Sequence, residues 1–125
     1  FDDALYTAAR LLEIVATDGR STAEIFAELP DTVNTPELNI QFEEGEHYAF
    51  MERLKAVAQF EGGEVNDIDG LRVDYPQGWG LVRPSNTTPV LVMRFEADSK
   101  AALEEVQQAF RRELLKVEPD LQLPY

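Results

Sequence analysis

The first sixteen residues show hydrophobic periodicity of the helical kind. Between residues 2 and 16, apolar side chains recur at spacings of three and four; Leu11 widens this apolar stripe, and Ile14 lies on the otherwise polar side. So broad a stripe needs more cover than an isolated N-terminal helix has, which indicates a piece of a larger structure. Gly19 is placed to end this helix. Ser21 and Glu24 have the spacing of a capping box, which predicts a second, short helix.

After Pro36 the hydrophobic period changes from 3.6 to 2. Leu38, Ile40 and Phe42 alternate with polar residues, which predicts a half-buried strand. Helical spacing returns over residues 46–60, and Gly62-Gly63 ends that segment. The predicted inner face of this helix carries Phe50, Met51, Leu54, Val57 and Ala58.

The next segments alternate like strands of a sheet. Residues 64–66 are a candidate short strand, and residues 71–75 a longer one with Leu71, Val73 and Tyr75 on one face. The sequence "PQGW" predicts a tight turn back into "WGLVR". The most hydrophobic strand spans residues 89–97, with Leu91, Met93, Phe95 and Ala97 on one face and Val90 and Val92 on a partly covered second face.

A last helix begins after Asp98 or Ser99, either of which is a good cap. Its predicted inner face is Leu103, Val106, Phe110, Leu114 and Val117. This order of elements predicts an α+β fold, with an antiparallel sheet of about four strands, two helices on one face, and a short helical segment in front. Residues 30–36 contain two prolines and no periodicity, which predicts a linker. We therefore expect two parts, residues 1–33 and residues 34–125.

Composition and charge exclude several classes of protein. A chain of 125 residues with 44% hydrophobic residues has the size and composition of one globular domain, with room for an appendage. The net charge of −13 repels nucleic acid and anionic membranes. No apolar run is long enough to cross a bilayer, and the absence of cysteine fits a cytoplasmic protein. Because the chain begins at Phe1 rather than methionine, we expect a processed chain or a piece of a longer one.

The acidic residues avoid one segment. From Pro76 to Phe95 there is no Asp or Glu, whereas Arg83 and Arg94 are present. A uniform spread of the 24 acids over 125 residues would place about four there. Strands carry fewer acids than helices, which is one explanation; a surface that accepts anions is the other.

The residues with catalytic chemistry are few. His47 is the only histidine, so it has no partner for a metal site or a proton relay, and we expect it to be a solvated or capping residue. The glutamates on the predicted helices are expected to be solvated. No nucleophile stands beside a base, and we assign this chain no catalytic residue and no metal ligand.

One loop remains as a candidate site, the "RPSNTTP" of residues 83–89. Pro84 and Pro89 restrict the backbone on each side, and the four amide N–H groups between them can converge on an anion if the loop curls. Ser85, Asn86 and Thr87 add side-chain donors, and Arg83 adds a guanidinium that suits phosphate oxygens. The alternative is a polar turn whose residues favour turns in any case.

At this loop the sequence resembles a known family. The stretch "GLRVDYPQGWGLVRPSNTTPVLVMRFEAD", with "DDALYTAARLLEIVA" and "TPELNIQFEEG" upstream, is similar to the C-terminal part of bacterial phosphomannomutase/phosphoglucomutase enzymes of the α-D-phosphohexomutase superfamily. The likeness covers essentially the whole chain. The "SNTTP" form of the loop points to the phosphomannomutase/phosphoglucomutase branch.

The resemblance implies a role for each part of the chain. Residues 1 to about 33 correspond to the closing helices of the third of four domains, and the rest to a fourth domain with a TATA-binding-protein-like fold. In that family the fourth domain closes the cleft and its loop holds the phosphate that is not being transferred. The implied phosphate contacts are Arg83, Ser85, Asn86 and Thr87, with Pro84 shaping the loop and the segment Pro30–Pro36 acting as a hinge.

The resemblance also implies what this chain lacks. The phosphoryl-carrying serine, the aspartate-rich Mg²⁺ loop and the sugar-reading loop of the family do not occur in it, so we expect it to bind no cofactor and to be inactive alone. The full enzyme would be a cytoplasmic monomer using Mg²⁺, with glucose 1,6-bisphosphate as activator. It would interconvert hexose 6-phosphate and hexose 1-phosphate through a 1,6-bisphosphate. The alternative is a stand-alone interaction or regulatory module whose loop is purely structural.

Overall fold

The chain forms two compact units in the computed structural model, which describes residues 2–125. The first unit ends at Asp31, and the second runs from Thr32 to Tyr125. The first unit contains α1 (Ala4–Asp18) and α2 (Thr22–Phe26). Both helices lie where the periodicity and the capping signals predict them.

The ends of these two helices follow from individual side chains. The Asp3 carboxylate accepts a hydrogen bond from the Tyr6 amide at 2.8 Å and so caps α1. Gly19 ends this helix, as predicted. The capping box is formed: the Ser21 hydroxyl accepts from the Glu24 amide, and the Glu24 carboxylate accepts from the Ser21 amide at 2.8 Å. The Ser21 hydroxyl also donates a hydrogen bond to the Glu24 carboxylate, and this bond lowers the pKa of the Glu24 carboxyl.

The apolar stripe of α1 is exposed. No residue of α1 is buried, and Leu5 and Leu12 are 86% and 68% exposed. Burying a leucine side chain contributes about 1.5–3 kcal/mol, and this stripe obtains little of that stabilisation in the described chain.

The second unit is a six-stranded antiparallel sheet with two helices. The strands are β1 (Val33–Asn34), β2 (Leu38–Gln41), β3 (Glu64–Asn66), β4 (Leu71–Tyr75), β5 (Gly78–Pro84) and β6 (Val90–Ala97); the helices are α3 (Glu46–Val57) and α4 (Lys100–Val117). The order is β1-β6-β5-β4-β3, and β2 also pairs with β6. The α+β class is confirmed, with six strands rather than about four.

The core lies between the sheet and the two helices. The inner faces of β4 and β6 are those predicted, and every predicted inner residue of β6 is 2% exposed or less. Phe110 of α4 packs at its centre, with its ring 4.8 Å from that of Phe60 and 5.3 Å from that of Phe95. Val90 and Val92 on the second face of β6 are only 7% and 8% exposed, which confirms that this face is partly covered.

Helix α3 is shorter than the sequence predicts. It ends at Val57 rather than at residue 60, and Ala58 is extended. Val57, predicted to face the core, is 48% exposed. The chain leaves the helix after Val57, and Ala58, although extended, still packs against the core as predicted.

The segment predicted as a linker is partly held by the sheet. Within it, β1 pairs with the end of β6. Thr35 donates its amide to the Phe95 carbonyl at 2.9 Å and accepts the Phe95 amide on its hydroxyl at 3.2 Å. Two residues of strand carry no alternation, which is why the sequence pattern misses them. Across residues 2–125, no helix combines the length and apolar character needed to cross a membrane.

Candidate functional site

The loop between β5 and β6 is closed by hairpin hydrogen bonds. Pro84 is opposite Leu91. The Ser85 amide donates to the Val90 carbonyl at 2.9 Å, and the Val90 amide donates to the Thr88 carbonyl at 2.8 Å. Of the four predicted amide donors, that of Ser85 is therefore used in the ladder, which leaves those of Asn86, Thr87 and Thr88 inside the loop.

Inside the loop, donors converge on one point. The amides of Thr87 and Thr88 both lie 3.3 Å from the Ser85 hydroxyl oxygen and donate to it. The hydroxyls of Thr88 and Thr87 lie 3.1 Å and 3.4 Å from the same oxygen. The loop thus gathers two threonine hydroxyl groups and two amide N–H groups around the Ser85 hydroxyl. Thr88 was not among the predicted side-chain donors, although it belongs to the same cluster.

This cluster borders a groove on the sheet face opposite the helices. The groove has a volume of ≈ 490 Å³. Its lining is mostly polar: Glu37, Asn39, Gln41, Arg83, Ser85, Thr87, Thr88, Pro89, Val90 and Val92. Arg83 reaches it because Arg83 is paired with Val92 in the ladder and both point to this face. Of the predicted site residues, Arg83, Ser85 and Thr87 line the groove, Asn86 is exposed at the loop tip, and Pro84 ends β5.

The arginines on this face differ in their partners. Arg72 donates to the Asp74 carboxylate at 2.6 and 2.9 Å and lies 4.2 Å above the Trp79 ring. The bond from Arg72 lowers the pKa of the Asp74 carboxyl. Among the described residues, Arg83 forms no ion pair within 4 Å. Its guanidinium is therefore available to an anion in a way that the guanidinium of Arg72 is not.

The fold places one carboxylate beside the loop, although the segment from Pro76 to Phe95 contains no acidic residue. Glu37 lies one residue before β2 and lines the same groove as Arg83. Glu37 is exposed, and no ion pair joins its carboxylate to Arg83. Water screens the repulsion between an exposed carboxylate and a bound anion, so Glu37 weakens but does not abolish the attraction of the arginine.

His47 is buried, which corrects the expectation of a solvated or capping residue. It is 1% exposed, and its Nε2 lies 3.1 Å from the Ser85 carbonyl oxygen. The neighbouring Tyr48 hydroxyl donates to the same carbonyl at 3.2 Å. The signal was present in the sequence, because His47 stands three and four residues before Phe50 and Met51 on the buried face of α3.

The described residues provide no candidate metal centre. No three His, Asp or Glu side chains among residues 2–125 lie together in a way that would hold a metal ion. The most deeply buried carboxylate is that of Glu113. It accepts hydrogen bonds from the Gln59 backbone amide at 2.9 Å and from the Lys116 ammonium at 2.7 Å. It is a structural group in the core rather than a ligand.

Fold and groove together define a class: an α+β domain with a donor-rich hairpin loop beside an unpaired arginine. The chain belongs to the phosphoglucomutase/phosphomannomutase family, whose C-terminal domain model matches residues 37–113. The matched region contains the whole loop, the groove and most of the core.

Relatives extend the similarity to the full chain. A phosphomannomutase/phosphoglucomutase from Pseudomonas syringae pv. tomato is 50% identical over 125 residues, which is 100% of this chain and 27% of the relative. A phosphoglucomutase from Neisseria gonorrhoeae is 51% identical over 113 residues, covering 89% of this chain and 24% of the relative. A crystal structure of a phosphoglucomutase/phosphomannomutase family protein from Burkholderia thailandensis matches with a TM-score of 0.88 and 49% identity, over 100% of this chain and 26% of the other.

The coverage of these relatives shows how much of a family member the chain represents. The chain spans about a quarter of the length of these relatives, at their C-terminal domain. The resemblance found from the loop and its flanking strands is confirmed.

Proposed function

We propose that the loop of residues 83–88 binds the phosphate group of a hexose phosphate in a phosphohexomutase. The observation that carries the proposal is the convergence of hydroxyl and amide donors on the Ser85 side chain, beside the unpaired guanidinium of Arg83. A phosphate oxygen is a stronger acceptor than a serine hydroxyl. The two amide contacts at 3.3 Å are long for hydrogen bonds, so these donors can turn to a bound phosphate.

The donor set suits one part of the substrate only. Arg83, the loop hydroxyls and the side chain of Asn86 recognise oxyanions, and none of them requires a particular sugar hydroxyl. In a mutase that works through a 1,6-bisphosphate, the intermediate has to reorient in the cleft between the two transfers. The same site therefore has to hold either of its phosphates. A generic oxyanion site permits this, whereas a sugar-specific pocket would not.

The parent enzyme is also part of the proposal. We assign it the interconversion of hexose 6-phosphate and hexose 1-phosphate, as a cytoplasmic monomer in which three domains precede this one. Residues 1–33 would then end the third domain, which would cover the exposed apolar stripe of α1. The resemblance implies Mg²⁺ and a glucose 1,6-bisphosphate activator for the whole enzyme. The described residues of this chain do not form a site for Mg²⁺, and no step assigned to them passes through it.

The proposed hinge is narrower than the sequence indicates. From Thr32 onward the chain is attached to β6, through the Thr32 hydroxyl on Glu96 at 2.8 Å and through Thr35 on the Phe95 backbone. Rotation of the C-terminal domain would therefore take place at Pro30 and Asp31, before these bonds begin. Loop binding of phosphate would favour the closed cleft by contributing contacts that the open state lacks.

Replacing Arg83 in the full-length enzyme tests the phosphate site. Arg83→Ala removes a charged donor worth about 1.5–3 kcal/mol to a bound phosphate, so KM for glucose 1-phosphate should rise about 10- to 100-fold. We expect kcat to fall as well, because phosphate binding also drives closure. Arg112→Ala is the matched control, since Arg112 is an exposed arginine of α4 that lines a different groove, together with Gly78 at the opposite end of β5. Wild-type kinetics for Arg83→Ala would refute the proposal.

A titration of the 125-residue chain separates the proposal from a purely structural loop. Glucose 1-phosphate should shift the amide resonances of residues 85–88 at about millimolar concentration, which corresponds to roughly −4 kcal/mol. Glucose without phosphate is the control and should leave these resonances unchanged. Shifts confined to other surfaces would favour the stand-alone interaction module.

A further inference from the structure

The first turn of α3 contacts the candidate loop from the side opposite the groove residues of β2. The His47 Nε2 is 3.1 Å from the Ser85 carbonyl oxygen, and the Tyr48 hydroxyl is 3.2 Å from the same oxygen. The Tyr48 hydroxyl also lies 3.4 Å from the Asn86 side-chain oxygen. The centroids of the two rings are 4.1 Å apart, and the ring planes are tilted by 38°. Two consecutive side chains of one helix therefore meet at a single carbonyl of the loop.

The tautomer of His47 follows from this contact. A carbonyl only accepts hydrogen bonds, so Nε2 carries the proton and donates. The Nδ1 atom is buried and has no hydrogen-bond partner within residues 2–125. A leucine would fill the space without burying an unpaired polar atom. The gain that offsets this cost is the bond from Nε2 to the loop, which indicates that the histidine is there for that bond and not for packing.

The held carbonyl fixes the direction of a donor. The Ser85 C=O and the Asn86 N–H belong to the same peptide group, and no peptide bond among the described residues is cis. In a trans peptide these two groups point in opposite directions. A Ser85 carbonyl that is held toward α3 therefore turns the Asn86 N–H away from α3, to the exposed side of the loop.

We propose that His47 and Tyr48 are positioning residues that hold the Ser85–Asn86 peptide so that the Asn86 amide donates to the bound phosphate. The inference rests on the proposed phosphate site and adds the groups that shape it. Without the two bonds, this peptide can rotate, and the free loop then has to be ordered at the moment of binding, which reduces affinity. Neither side chain touches the substrate itself.

Isosteric replacements of His47 in the full-length enzyme provide the test. The amide nitrogen of glutamine is as many bonds from Cα as Nε2 of histidine, whereas the amide nitrogen of asparagine corresponds to Nδ1. His47→Gln should therefore keep KM for glucose 1-phosphate within about twofold of wild type, while His47→Asn and His47→Leu raise it about tenfold. The inhibition constant of inorganic phosphate should rise in parallel with KM, which a general loss of packing would not produce.

Tyr48→Phe tests the second contact without disturbing the core, because Tyr48 is 43% exposed. We expect a rise in KM of about two- to fivefold, as one of two bonds to the carbonyl is lost. Tyr6→Phe is the control: Tyr6 lies on α1 and is 64% exposed, and loss of its hydroxyl should change nothing. This variant decides the matter even where a His47 variant does not fold.

The outcomes separate the two proposals. A large effect of Arg83→Ala together with wild-type behaviour of His47→Asn, His47→Leu and Tyr48→Phe would overturn the positioning role and leave the phosphate site intact. Equal damage by His47→Gln and His47→Asn would also overturn it, because packing rather than the Nε2 donor would then be responsible. No effect of Arg83→Ala would remove the phosphate site, and the positioning role with it.

Discussion

Gly70 lies directly against the end of the strand that carries Arg83. Its φ is +79°, in the left-handed region. A Cβ at this position would be 2.3 Å from the Val82 carbonyl oxygen and 2.6 Å from the Arg83 Cα. Backbone atoms cannot move aside as the end of a flexible side chain does, so residue 70 has to be glycine for two separate reasons.

A pair of glycine variants separates these two reasons. Gly62 has φ +75° and open space around it, so Gly62→Ala should cost only the left-handed strain of about 1–2 kcal/mol. Gly70→Ala adds the backbone clash and should cost about 3 kcal/mol or more. Urea denaturation of the 125-residue chain measures both free energies of unfolding. Equal losses at the two positions would contradict the close approach.

Single residues mark the limit of what the sequence reveals. Arg83, Ser85 and Thr87 were predicted as a group because a polar, acid-free loop with an arginine is visible in one dimension. The contact from His47 to Ser85 spans 38 positions and depends on how α3 packs against the sheet. The position of Glu37 in the groove depends on β2 pairing with β6. The grouping of polar side chains within one segment could be predicted from the sequence. Contacts between segments that tertiary packing brings together could not.

At the scale of the elements, α4 contains a carboxylate that its sequence pattern does not distinguish. Glu113 was expected to be solvated like the other helical glutamates, but it is 2% exposed. Its carboxylate accepts a hydrogen bond, 2.9 Å long, from the backbone amide of Gln59, which lies just beyond the end of α3. The hydrogen bond between Gln59 and Glu113 thus links the early end of α3 to the buried carboxylate of α4. The sequence of neither helix predicts this bond by itself.

Replacing Glu113 tests this interaction. Glu113→Ala leaves the Gln59 backbone amide without its acceptor and should lower the free energy of unfolding by about 2–3 kcal/mol. Glu113→Gln keeps an oxygen acceptor and should lose about 1 kcal/mol. The control is Glu105→Ala on the exposed face of α4, which should change stability by less than about 0.5 kcal/mol. Thermal unfolding followed by circular dichroism measures all three, and similar values for Glu113→Ala and Glu105→Ala would contradict the interaction.

Periodicity predicted the longer elements because each has one face in the core. The inner residues of β6 and the stripe of α4 recur at regular intervals, and they form the buried cluster. Strand β1 has two residues and therefore no interval to recognise. It forms because the Thr35 side chain completes hydrogen bonding with Phe95, and that contact joins positions 60 residues apart.

The whole molecule consists of two units that differ in how they are stabilised. The second unit contains the buried core, and the helices of the first contain no buried residue. The free energy of unfolding of residues 32–125 should therefore not depend on the residues before them. This property is what a rotating domain requires, since its fold has to survive a change in its neighbours.

Two truncations that differ by six residues test this division. A chain of residues 32–125 should melt within about 2 °C of the 125-residue chain, because it retains β1 and the contacts of Thr35. A chain of residues 38–125 loses both and should melt about 5–10 °C lower, since its β6 is left with unpaired amide and carbonyl groups. Melting followed by circular dichroism compares the three chains. A large loss of stability already in the first truncation would mean that α1 and α2 stabilise the sheet, and the proposed pivot at Pro30 and Asp31 would then have no independent domain to turn.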